Sequence, residues 1–430
     1  MKYVTADEAV KLVRSGDTIC CQGGASVPVL LQEALARRHA ELRDVTITSG
    51  FNVHKDPAPF CKPEYKDSFL VNSIFLSADQ RAHVAAGYGS MTPAFLGEVP
   101  GMFRRGEFPV DVAFITCSMP DENGYCSFGI SADIAVAAAE VARVVIAEVS
   151  PNIPYLYGDC MIHESKISAA VLCDVAPFAM TFGDPTPIEA AIGANVASEI
   201  PDGACLQIGV GGIPNAVLNG IKNHKHLGLH TEAMTDGVIR LMKEGVIDNS
   251  LKKVKPGISV AALAIGSKEM YEYIDHNHSM EFFDVAYTNN PFLIARNPKA
   301  CAINSAIEID LTGQICADSI GTTIFSSVGG QHDFMYGCSL SEGGRTFIAM
   351  PSRTAKGKAK IVPTLTPGAG VVTTRFQTQY VATEHGIVYL RGKSLAERAR
   401  LLISIAHPDD REALERAAFE RFGYSFQRLG

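Results

Sequence analysis

The chain has 430 residues, a formal net charge of −8, 47% hydrophobic and 20% charged residues, and no tryptophan. That length is too great for one ordinary core and predicts two α/β domains of roughly 200 residues each, while the composition excludes a disordered or low-complexity chain. Basic residues gather only in short clusters, Lys222–His226 and Lys356–Lys360, so a nucleic-acid partner is not expected. No stretch reaches about 18 uninterrupted apolar residues and no apolar leader follows Met1, which predicts a cytoplasmic chain with no membrane association.

In chain order, the first signal is Gly16-Asp17-Thr18-Ile19-Cys20-Cys21-Gln22-Gly23-Gly24, a β-type run into a glycine turn, followed by a helical stretch and the run Val45-Thr46-Ile47-Thr48-Ser49-Gly50. Ile134–Arg143 has the alanine content of a packed helix, and it feeds Val144–Val149, an apolar strand covered on both faces. Two prolines in Gly183-Asp184-Pro185-Thr186-Pro187 break the pattern and suggest a boundary, giving domains 1–185 and 186–430. After a helix over Ile188–Ser198 the opening pattern returns. Gly203–Pro214 repeats the strand and glycine turn, a second helical stretch follows, and the next strand ends at Glu232, where the first copy carries Ser49-Gly50. The β-type run Thr322–Phe325 leads into a second glycine pair in Ser326–Phe334, and helices over Lys393–Ala406 and Pro408–Phe422 close the chain. Short β-branched runs alternating with helical stretches predict mostly parallel sheets. The eleven cysteines are scattered and lack Cys-x-x-Cys spacing, which reads as buried reduced thiols.

Three features could carry chemistry. The turn Gln207–Pro214 is either a tight strand-to-helix connection or a cradle whose amides approach an oxyanion or phosphate. It lacks the third glycine and acidic partner of a dinucleotide fingerprint and the Lys-Ser/Thr ending of a P-loop. Gly329-Gly330 offers the same two readings. Glu232 is either a helix-start or salt-bridge carboxylate, beside Thr231 and Thr235-Asp236, or a nucleophile, competent toward a thioester because the product is a mixed anhydride and the leaving group a thiolate. The histidine groups 224/226/230 and 276/278 lack convincing metal-ligand spacing, so no metal is expected.

Taken together, the motifs resemble the acetyl-CoA hydrolase/transferase family of class I CoA-transferases, especially its 4-hydroxybutyrate and butyryl-CoA:acetate branch. The resemblance runs through Asn123–Ser131, Gln207–Pro214, His230-Thr231-Glu232 with Asp236-Gly237, Gly329–Phe334, Thr383–Ile387 with Leu390-Arg391-Gly392, and Ala406–Asp409. It implies two similar open α/β domains with an active site at their interface, Glu232 as catalytic residue on the C-terminal one, and ping-pong transfer through a glutamyl-CoA thioester. It places the CoA loop on Gly209, Val210, Gly211, Gly212 and Ile213, and the oxyanion loop on Gly329 and Gly330. Asn289, or its neighbour Asn290, and Glu384 fall on segments lining the site, and Lys356, Lys358 or Lys360 are candidates for the CoA phosphates. His332 and His385 depart from the family pattern. Acetyl-CoA and a short-chain carboxylate are implied as substrates, with no prosthetic group, in a homodimer. An acyl-CoA hydrolase using the same glutamate, with water intercepting the intermediate, is the alternative, and a non-catalytic CoA-binding sensor is a further one.

Overall fold

The computed structural model describes residues 1–54 and 58–429. The chain divides into two compact units: Met1–Thr181 with Glu232–Asp236 and Ile258–Asn289, and Phe182–Thr231 with Gly237–Gly257 and Asn290–Gly430.

The first unit is built on a seven-stranded sheet in the order Gly89–Met91, Phe69–Ser73, Val45–Ser49, Thr18–Cys21, Val112–Cys117, Val144–Val149, Ala169–Leu172. All its pairings are parallel. The chain runs outward from Thr18–Cys21 in one direction, then returns to its other side, so the order reverses beside the first glycine turn. Crevices that take ligands in such sheets lie at the carboxyl ends of strands at this reversal. Val112–Cys117 and Val144–Val149 are buried along their whole length, as apolar runs covered on both faces require. Ile19, Ile47, Phe114 and Ile146 pack with Leu31 and Leu35 from the helix Val29–Arg37.

The second unit repeats the plan in a six-stranded sheet: Gly228–Leu229, Cys205–Ile208, Ala300–Asn304, Arg345–Ala349, Tyr380–Thr383, Gly386–Tyr389. Only its last pairing is antiparallel. The expected helix at 188–198 is Pro187–Ala197, opened by a capping box between Thr186 and Glu189 with proline in the first turn. The expected closing helices are Leu395–Ser404, with a Ser394/Glu397 capping box, and Pro408–Phe422.

The expected division into 1–185 and 186–430 differs from these units, because two later segments, Glu232–Asp236 and Ile258–Asn289, group with the first one. The first break, at Thr181/Phe182, falls close to the expected cut, but Glu232 does not travel with the rest of the C-terminal half. Its two-residue strand neighbours explain why. Ala233–Met234 pairs with Leu263–Ala264, Ala132 N and Asp133 N donate to Ala262 O, and Ala264 N donates to Ile130 O. Short buried strands must satisfy their main-chain groups somewhere, and here segment 130–133 of the first unit does it. No sequence periodicity registers strands of that length.

Candidate active site

Glu232 lies between the strands Gly228–Leu229 and Ala233–Met234. Its carbonyl accepts from Ala262 N and Leu263 N at 3.0 and 2.9 Å, which fixes the backbone on both sides of a half-buried side chain. The helix that follows starts at Asp236, so Glu232 is not its cap. Its Oε2 instead accepts from Nδ2 of Asn289 at 3.0 Å. Asn289 is fully buried, at the C-terminal end of the short helix Val285–Thr288. The two readings at Asn289/Asn290 separate cleanly: Asn290 Oδ1 accepts from Phe292 N and Leu293 N and opens the helix Pro291–Arg296, leaving Asn289 as the residue on Glu232. A neutral amide donor holds one carboxylate oxygen in place without neutralising the charge.

The glycine turns of the two halves differ in what surrounds them. At the first, a side chain on Gly23 would meet Phe51 O at 2.8 Å and one on Gly24 would meet Ser131 Oγ at 2.7 Å. The helix Val29–Arg37 behind it is closed as well, because Glu148 Oε1 accepts from Leu31 N at 2.9 Å. At the second, Gly211 has φ +133° and nothing within 4 Å of the position a Cβ would take, so the backbone there is open to an approaching group. Gly212 begins the nine-residue helix Gly212–Gly220, and a side chain on it would run into the Glu189 carboxylate. Gly209 has ordinary van der Waals neighbours, and Val210 and Ile213 are half-buried beside it.

Gly329, with φ +56°, and Gly330 lead into the ten-residue helix Gln331–Leu340. Gln331 Nε2 donates to Ser305 O at 2.8 Å and anchors this turn to the end of Ala300–Asn304. Glu384 accepts from Ser352 N at 2.8 Å and Ser352 Oγ at 2.5 Å. Burial alone would push its carboxyl up, but these hydrogen bonds and its own amide hold it below the usual carboxylate range. Its visible work is to clamp the loop that starts at Ser352, a role the sequence did not suggest. Lys356 and Lys358 are exposed on the turn 354–358. Lys360 is half-buried, and burial pushes its amine down to about 8, opposed by the Glu384 charge.

The histidines have separate local partners: His224 Nε2 meets Ile200 O at 2.9 Å and His226 Nδ1 meets Asp248 at 2.8 Å. Among the described residues, no group of three or more His, Cys, Asp or Glu is placed to hold a metal ion, and no helix is long and apolar enough to cross a membrane. All eleven cysteines are free.

Residues 1–180 match the acetyl-CoA hydrolase/transferase N-terminal domain and residues 266–418 match the acetyl-CoA hydrolase/transferase C-terminal domain. The chain belongs to the acetyl-CoA hydrolase/transferase family. Within it, the chain is 42% identical to the 4-hydroxybutyrate coenzyme A transferase of Clostridium kluyveri over 427 residues, covering 98% of each. It is also 42% identical to the succinyl-CoA:acetate/propanoyl-CoA:succinate CoA transferase of Fasciola hepatica, over 96% of this chain and 87% of that one. The crystal structure of the 4-hydroxybutyrate CoA-transferase of Porphyromonas gingivalis superposes with a TM-score of 0.83 at 38% identity, covering 98% of both chains. The chain is thus a CoA-transferase with the mixed α/β fold of this family.

Proposed function

We propose that the protein moves CoA between acetyl-CoA and a short-chain carboxylate, 4-hydroxybutyrate or butyrate, with Glu232 as the nucleophile. The observation that carries this reading is the half-buried Glu232 carboxylate held through Oε2 by the Asn289 amide at 3.0 Å. In the first half-reaction a Glu232 oxygen adds to the thioester carbonyl, the C–S bond breaks, and CoA leaves as thiolate from a mixed anhydride. The thiolate then attacks the Glu232 carbonyl carbon, the anhydride C–O bond breaks, acetate departs, and CoA is left on Glu232 as a thioester. The incoming carboxylate runs the same two steps backwards. Every attacking and leaving group is an anion, so no proton, water or electron is consumed.

In the same reading, main-chain N–H groups at Gly330 stabilise the tetrahedral oxyanion, a contribution of about 3 kcal/mol per donor in comparable sites. The open turn Gly209–Ile213 receives CoA. Lys356 serves a CoA phosphate, and the nucleotide supplies binding energy remote from the reacting carbon. Glu384 acts on the site by holding the Ser352 loop. The choice of 4-hydroxybutyrate or butyrate draws on what the Clostridium kluyveri and Porphyromonas gingivalis relatives and the butyryl-CoA:acetate CoA-transferase of Anaerostipes caccae are named for; a homodimer rests on the family resemblance alone.

Borohydride treatment after incubation with acetyl-CoA tests the mechanism. Peptide mass analysis is expected to find the Glu232 carboxyl reduced to an alcohol, and Glu232→Gln to lose both the label and transfer while melting like the wild type. Transfer that survives in Glu232→Gln sinks the reading. Acetate release from acetyl-CoA is expected to turn over only when a carboxylate acceptor is present and to yield the acceptor's CoA thioester without free thiol; sustained release of free thiol identifies a hydrolase.

A further inference from the structure

Asn289 reaches Glu232 from the end of a four-residue helix, Val285–Thr288, too short to hold its own shape. Its start is tied down by main-chain bonds, Phe283 N to Ala261 O at 3.0 Å and Val285 N to Asp133 O at 2.9 Å. Its N-cap is Asp284, whose carboxylate accepts from Tyr287 N at 3.2 Å with a side chain only 9% exposed. The other Asp284 oxygen takes Nη2 of Arg104 at 2.7 Å, and Nε of the same guanidinium goes to Glu140 at 2.7 Å. Arg104 lies in the last turn of the helix Val99–Arg105 and Glu140 lies on Ala135–Val141. One guanidinium therefore ties two longer helices to the cap of the short one. Burial pushes the Asp284 carboxyl up and Arg104 opposes that shift, so removing Arg104 leaves a nearly buried carboxylate without its cation.

We propose that Arg104 is a positioning residue for CoA transfer: through Asp284 it sets the helix Val285–Thr288, and with it the Asn289 amide that orients Glu232. All five residues of this relay, Glu140 included, lie in the first unit. The inference rests on Glu232 being the nucleophile. With the cap loosened, the helix keeps its main-chain anchors at the start and gains freedom at the end, where Asn289 sits. Small displacements of a reacting group cost rate far more than they cost binding.

A double-mutant cycle tests this. Arg104→Met is expected to lower kcat about tenfold with KM for acetyl-CoA within about twofold, and Arg104→Lys, which can still reach Asp284, to recover part of the loss. Arg105→Met removes the same charge one residue away, from an exposed pair with Glu107, and serves as the unchanged control. In an Asn289→Ala background, with residual transfer followed by isotopic acetate exchange, Arg104→Met is expected to cost nothing further, because both changes disable one relay. A tenfold loss in both backgrounds, or wild-type kcat in Arg104→Met, overturns the proposal. If Arg104→Met does not fold, Arg104→Lys takes its place in the cycle under the same criterion. Failure of the underlying reading is distinct: transfer persisting in Glu232→Gln removes the nucleophile, whereas a dead Glu232→Gln with an additive cycle removes only the relay.

Discussion

Asn289 Nδ2 donates to Glu232 Oε2 at 3.0 Å, whereas the adjacent Asn290 commits its side chain to the first turn of the helix Pro291–Arg296. Two neighbouring residues of one type thus divide into a partner of Glu232 and a structural cap. A hydrogen bond to a charged group is worth about 1.5–3 kcal/mol, so Asn289→Ala is expected to lower kcat by roughly ten- to a hundredfold. Asn290→Ala, which loses a cap worth about 1 kcal/mol, is expected to lower the melting temperature and leave kcat near wild type. Steady-state kinetics beside calorimetry separate the two, and reversed effects would show the assignment to be exchanged.

Adjacent glycines in the second turn also have different jobs. Gly211 is in open space at φ +133°, whereas a side chain on Gly212 meets Glu189, the residue that completes the Thr186 capping box. Gly211→Val is expected to raise KM for acetyl-CoA, since a side chain there fills the approach to the backbone, and also to lower the melting temperature, since φ +133° strains any side chain. Gly212→Ala is expected to show mainly a stability loss, on the order of 1–2 kcal/mol, from the displaced Glu189 and its cap. If Gly211→Val melts early with unchanged KM, the turn is structural and CoA binds elsewhere.

Glu148 predicts a pH dependence of stability. It is fully buried in the sheet of the first unit, with Oε1 on Leu31 N and Oε2 without a hydrogen-bond partner, and burial pushes its carboxyl up to about 8. An unfolded chain releases this proton near the ordinary carboxylate value, whereas the folded chain keeps it until about pH 8. The folded state therefore binds more protons in between, and stability falls as pH rises through that window, by a few kcal/mol in all. Denaturant unfolding between pH 5 and 9 is expected to show this slope in the wild type and a flatter one in Glu148→Gln. Equal slopes would mean that Glu148 is not the group responsible.

Acceptor choice can be read from initial rates with acetyl-CoA. The segment beside Glu232 offers Ala233 and Met234; of the two arginines from distant segments that are candidates for clamping a second carboxylate, Arg81 and Arg104, Arg104 is already held by Glu140 and Asp284. A planar bidentate partner is what recognition of a diacid favours. Unbranched four-carbon monocarboxylates are therefore expected to outpace succinate. A tenfold advantage for succinate, about 1.4 kcal/mol in the transition state, would transfer the assignment to the chemistry for which the Fasciola hepatica relative is named and leave the glutamyl mechanism standing.

The repeat of strand, glycine turn and helix was legible at residue level, because a two-sided parallel sheet demands apolar strands and a turn that only glycine closes without strain. From that repeat alone Glu232 stood out, being a carboxylate in one copy without a counterpart in the other. What the linear order could not convey was how the copies differ. Gly23-Gly24 and Gly211-Gly212 look alike as sequence, yet Phe51 and Ser131 fill the space at the first and nothing does at Gly211. The unit to which Glu232 belongs was likewise decided by main-chain bonds from Ala262 and Leu263 to Glu232, and by those between segment 130–133 and 262–264, which join residues more than a hundred positions apart. The choice of Asn289 over Asn290, and the line from Arg104 through Asp284 behind it, arise the same way. Side-chain direction and long-range pairing follow from which groups can satisfy one another in the folded chain, and local periodicity carries no record of that.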